Sequence, residues 1–169
     1  IGYPLCSILD KLKKDDIIVM EVSCQQGENF KKFKPHIGLF TNIDQAHIDF
    51  MKTFKHYKDV KKRMFYNQTS EDIAILNMEN EEVMKELKNI KSITKYFSSK
   101  NEINGAYIKN GKIYYYDEEV MKVSDIKIPG NHNLENCLGA IMVAKEFNVS
   151  NEIIDKVLSE FTGVEHRLE

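Results

Sequence analysis

Four short apolar runs alternate with helix-like stretches, and this alternation constrains the chain most. The runs are "DIIVMEVS" (16–23), "HIGLFTNI" (36–43), "DIAILNM" (72–78) and "SITKYFSS" (92–99). Each reads as a buried strand. Helical patterns lie at 4–12, 54–67 and 81–88. A strand buried on both faces shows a continuous apolar run, and strands alternating with helices pack as a parallel sheet covered on both sides. The first expectation is therefore an α/β fold: a mostly parallel sheet flanked by helices.

The texture changes near residue 105. "GAYIKNGKIYYYDEEVMKVSDIKI" alternates polar and apolar residues, and Asn110-Gly111 is a strong hairpin signal. A small antiparallel β meander is expected over 106–128. A helix should start after Pro129-Gly130, with Leu134, Leu138, Ile141, Val143 and Ala144 facing the core. A last helix should be capped by Ser150 or Asn151. The Gly-Lys pair at 111–112 is no phosphate loop. Gly105 and Gly111 are spaced wrongly, Ile113 follows the lysine, and the context is a hairpin.

A chain of 169 residues, 42% hydrophobic and 30% charged, can bury a real core. Its net charge of -2 argues against a dedicated nucleic-acid binder. No apolar run approaches the ~20 residues needed to span a bilayer, and no secretory leader pattern opens the chain. Cys6, Cys24 and Cys137 are scattered, which suits reduced thiols and a cytoplasmic location. The start at Ile1 and the stop after "GVEHRLE" suggest a piece of a longer protein.

Two features point to chemistry. "TNIDQAHIDF" (41–50) places Asp44, His47 and Asp49 directly after an apolar run. That position suits a metal or phosphate site at the carboxyl edge of a parallel sheet. The second feature is Lys61, in the helix "FKHYKDVKKRMFYNQ". At ~100° per residue, the other basic residues face away, while Lys61 falls within the arc of Phe54, Tyr57 and Phe65. It must snorkel, pair with an acid or carry altered chemistry.

The motifs resemble those of the Mur ligases of peptidoglycan synthesis, in their central ATP-binding domain. "EVSCQQGE", "TNIDQAHIDF", "YKDVKKRMF", "PGNHNLENCLGAI" and "GVEHRLE" are similar to five family motifs, in order, over nearly the whole chain. The resemblance is closest to the D-glutamate-adding members. It implies a phosphate-loop NTPase-like fold and residues 1–169 forming most of one central domain. The first strand and the phosphate loop would lie upstream, as would a UDP-binding domain. An amino-acid-binding domain would follow.

The resemblance also implies an ATP-dependent, ADP-forming ligase with Mg²⁺. ATP would phosphorylate the carboxylate of UDP-N-acetylmuramoyl-L-alanine, and the amine of D-glutamate would attack the acyl phosphate. Residue by residue, Glu21 would bind a metal, with His47 beside a second metal and the acceptor. Lys61 would be carried as a carbamate. Ser23 and Gln26 would lie near the UDP substrate, Asn133 and Asn136 at the adenine side, and Arg167 at the nucleotide phosphates. The parent would be monomeric and cytoplasmic, without nucleic-acid or membrane partners. This piece alone would be inactive and prone to self-association.

Departures from the family pattern cluster near the acceptor: Gln45-Ala46 before the histidine, Phe50 after it, and Gln25 and Gly27 in the first motif. A sibling ligase adding diaminopimelate or lysine, or a folylpolyglutamate synthase, is the first rival. A non-catalytic nucleotide-binding or interaction domain is the second.

Overall fold

A computed structural model describes residues 4–44 and 51–164. Six strands form one sheet: β1 (Ile37–Phe40), β2 (Ile73–Asn77), β3 (Ile93–Ser98), β4 (Gly105–Lys109), β5 (Lys112–Tyr115) and β6 (Glu118–Lys122). Their spatial order is their chain order. β1 to β4 are parallel, and β4 to β6 form the antiparallel meander. The α/β expectation holds.

The α-helices that lie wholly within the described residues are α1 (Cys24–Gly27), α2 (Phe54–Lys62), α3 (Glu81–Glu86), α4 (Asn131–Glu146) and α5 (Asn151–Glu160). The strand pleat divides the interior into two cores. Phe40, Ala74 and Leu76 pack with Tyr57, Val60 and Phe65 under α2. Ile75, Phe97, Ala106 and Ile113 pack with Leu138, Ile141 and Met142 under α4. One residue step along a strand therefore decides which helix layer a side chain meets.

Local chemistry sets the connections. Asn110 and Gly111 both have positive φ, 50° and 73°, the mirror-image turn that fits strand twist. Ser150, Asn80 and Thr53 cap α5, α3 and α2 through their side-chain oxygens. A parallel step normally needs a long crossover, yet β3 and β4 are joined by 99–104. The register explains this. Gly105 pairs with Tyr96, so the chain steps back only two residues before running on past the end of β3. A Cβ on Gly105 would lie 2.0 Å from the Tyr96 carbonyl oxygen, so this step requires glycine.

Two expectations need correction. Residues 16–23 form no strand; they are irregular, with Val19 90% exposed and Ile17 57% exposed. Apolar composition alone makes no strand, and among the described residues this segment has no ladder partner. The helix expected at 4–12 is two short 3₁₀ turns, Leu5–Ser7 and Leu9–Lys11. Pro4 fixes its entry, and no residue of either turn is buried to anchor a longer helix.

Candidate functional site

The outer side of β1, where no described strand pairs, borders a groove of about 820 Å³. Residues 16–23 line it, as do the end of β1, Thr41 and Asn42. Glu21, Ser23 and Lys61 line the same space. The residues expected to work together are thus partly gathered, although Glu21 sits on an irregular segment rather than a strand end. His47 and Arg167 lie outside the described residues, as do the Gln45-Ala46 and Phe50 departures.

Lys61 does not point to the solvent side of α2. Its Nζ lies 5.3 Å from the ring centre of Phe40 and 5.1 Å from that of Tyr57, where ring faces attract an ammonium. The expected wall of Phe54, Tyr57 and Phe65 is therefore right at Tyr57, while the second ring over Lys61 comes from the last residue of β1. The adjoining face of α2 is tied down. Lys58 pairs with Glu82 and Glu86, and Lys62 with Glu86, at 2.7–2.9 Å. These ion pairs, together with the burial of Tyr57 and Val60, fix the rotation of α2 that brings Lys61 to the groove.

Ser23 and Gln26 use their polar atoms on each other. The Gln26 N–H donates to Ser23 Oγ at 3.3 Å, and the Ser23 N–H donates to Gln26 Oε1 at 2.9 Å, a capping box for α1. The box sets the turn from the groove wall into α1. Gly27 follows because α1 crosses α2 closely: an added Cβ would meet Val60 Cγ1 at 3.0 Å and its carbonyl oxygen at 3.2 Å. Cys24 is buried beside them.

At the carboxyl ends of β2 and β3 the structure collects polar groups that sequence reasoning missed. Asn77 is 1% exposed; its Nδ2 donates to Glu135 Oε2 at 2.8 Å, and its Oδ1 accepts from the Glu79 N–H at 2.9 Å. Ser99 Oγ donates to Glu135 Oε1 at 3.1 Å. Ser98 Oγ donates to Glu79, which also accepts from the Lys100 and Asn101 N–H donors. Burial pushes the Glu79 carboxyl up, but the Ser98 hydroxyl and the Lys100 amide and ammonium outweigh it and lower its pKa. Asn133 and Asn136 lie on either side of Glu135 in sequence, on the first turns of α4. Asn133 Nδ2 donates to the Pro129 carbonyl at 2.7 Å, and Asn136 is exposed. The available signal was a polar residue ending the buried run "IAILN", with a glutamate just before the apolar face of α4.

Residues 1–144 match the Mur ligase middle domain family. The chain belongs to that family. Over its whole length it is 42% identical to UDP-N-acetylmuramoylalanine–D-glutamate ligase of Lactococcus lactis subsp. lactis (strain IL1403). It is 43% identical to the protein of the same name from Bacillus mycoides (strain KBAB4). It spans 38% of the length of each of these relatives. Solved Mur ligases share the fold. A UDP-N-acetylmuramate:L-alanyl-gamma-D-glutamyl-meso-diaminopimelate ligase from Neisseria meningitides gives a TM-score of 0.62 at 16% identity, covering 78% of this chain and 42% of that one. The MurF ligase of Thermotoga maritima, solved in complex with ADP, gives 0.57 at 17% identity, covering 78% and 31%. For this Mur ligase middle domain, no described helix is long and apolar enough to cross a membrane.

Proposed function

We propose that this middle domain serves an ATP-dependent ligase that joins D-glutamate to UDP-N-acetylmuramoyl-L-alanine. The observation that carries the reading is end-to-end identity of 42–43% to two ligases of that name. In the reaction, the substrate carboxylate takes the γ-phosphoryl group of ATP and ADP leaves. The amine of D-glutamate then attacks the acyl carbon, loses a proton, and expels phosphate from a tetrahedral intermediate.

The groove beside β1 is the acyl-transfer side in this reading. Glu21 supplies a hard carboxylate oxygen in a cavity that Thr41 and Asn42 also line. Mg²⁺ is commonly held by one or two carboxylates, with phosphate and water completing its shell, so this donor set fits such an ion. Glu21 would hold one such ion and His47 would stand beside a second, and when bound they would neutralise charge gathering at the phosphates. Lys61, drawn to the groove between two rings, would carry a carbamate and so turn a cation into an anion near those ions. Ser23 and Gln26 would shape the wall toward the UDP substrate. Asn133, Asn136 and Arg167 would serve the nucleotide, and the enzyme would work in the cytoplasm.

The test uses the full-length protein that carries this chain and follows phosphate release. D-glutamate should support turnover, while meso-diaminopimelate and L-lysine should not. Lys61→Ala should remove most activity, and small carboxylates should restore part of it. Turnover with diaminopimelate or lysine in place of D-glutamate would overturn the acceptor assignment. Wild-type rates from Lys61→Ala without added carboxylate would overturn the role given to the lysine.

A further inference from the structure

α4 lies antiparallel to β3 and is clipped to it at both ends. β3 points alternate residues at α4: Lys95 pairs with Glu146 near the carboxyl end of the helix, Phe97 is buried under its middle, and Ser99, just past the strand, donates to Glu135 near its amino end. Glu135 also takes the amide of Asn77 from the end of β2. Asn77 cannot turn away, because its oxygen is held by the Glu79 N–H. Glu135 is thus the point at which two strand ends fix the axial position of the first turns of α4.

Asn133 and Asn136 flank Glu135 on those turns. We infer that Glu135 is a positioning residue for the nucleotide: by holding α4 in register with β2 and β3, it sets where Asn133 and Asn136 meet the base. The inference rests on the nucleotide reading of that end of α4, and neither the family match nor the relatives assign Glu135 a role. The chemistry of the clip is specific. Glu135 offers two acceptors to two donors, the Asn77 amide and the Ser99 hydroxyl. A glutamine can satisfy both, its oxygen accepting from Asn77 and its amide donating to Ser99 Oγ, because a hydroxyl also accepts. An alanine satisfies neither and leaves a buried amide unpaired.

Calorimetry on the full-length protein tests this, with ADP and the UDP-linked substrate as separate probes, beside thermal unfolding. Glu135→Ala should weaken ADP about tenfold, a factor equal to ~1.4 kcal/mol, and leave the affinity for the UDP-linked substrate within about twofold. Glu135→Gln should restore ADP binding to near wild type. Glu146→Ala breaks the far clip and controls for helix loosening; it should lower the melting temperature without weakening ADP. Equal weakening of ADP by Glu135→Ala and Glu146→Ala would overturn the positioning role in favour of plain helix stability. Asn136→Ala separates the two layers of the argument. If it weakens ADP while Glu135→Ala does not, the positioning inference alone falls. If it binds ADP as wild type does, the nucleotide reading falls and takes the inference with it.

Discussion

Glu86 on α3 accepts a hydrogen bond from Lys62 on α2 at 2.7 Å, across 24 residues of chain. The same carboxylate pairs with Lys58 at 2.9 Å. Together they orient the helix that presents Lys61 to the groove.

This arrangement predicts an acid-sensitive contribution to stability. The Lys62 and Lys58 ammonium groups hold the Glu86 carboxyl at about 2, below its ordinary 4.5, against the opposing effect of burial. A carboxyl whose pKa is lowered on folding stabilises the folded state fully above its unfolded value and loses that effect as pH falls through the folded one. Wild type should therefore melt higher than Glu86→Gln at pH 7. The gap should close between about pH 4.5 and 2. A gap that stayed constant across that range would show that the carboxylate charge is not what matters.

The step between β3 and β4 predicts a severe single-atom effect. Gly105→Ala places a methyl 2.0 Å from the Tyr96 carbonyl oxygen, and the obstacle is backbone rather than a movable side chain. Overpacking costs of this kind run to about 3 kcal/mol. Denaturant melts should show a lower midpoint with little change in slope. A midpoint equal to wild type would mean that β4 can shift its register without cost.

The open side of β1 predicts association. Ile17, Ile18 and Val19 are 57%, 48% and 90% exposed beside a strand that pairs on one side only among the described residues. Exposed strand edges with apolar neighbours recruit other chains. The isolated 169-residue chain should therefore sediment with a concentration-dependent mass. Val19→Lys with Ile18→Lys should reduce that dependence. A monomer at every concentration in the unaltered chain would rule out this edge as the sticky surface.

The elements that sequence made legible are those whose pattern is set locally. Residues 73–76, "IAIL", are apolar throughout because the strand is covered on both faces, and Asn110-Gly111 announces a hairpin because few pairs accept two positive φ values. Lys61 stood out because a cation broke an apolar arc. What escaped depends on neighbours in space. Residues 16–23 have the composition of a buried strand, but a strand is defined by its partner. Phe40 could not be recognised as the ring over Lys61, because nothing local ties β1 to α2. Asn77, Ser99 and Glu135 each read as ordinary polar positions; only the alternation that turns both strand ends toward α4 makes them a cluster. His47 and Arg167, central to the sequence reading, lie outside the described residues.

The sheet has one more consequence, for how the chain gets there. Every described strand is hydrogen-bonded only to its neighbours in sequence. No described strand has to wait for a distant segment to arrive before it can pair. Domains made on the ribosome can add structure from the amino end as they emerge. Here β2, β3 and β4 can join one after another, and α4 can close over them once it has been synthesised.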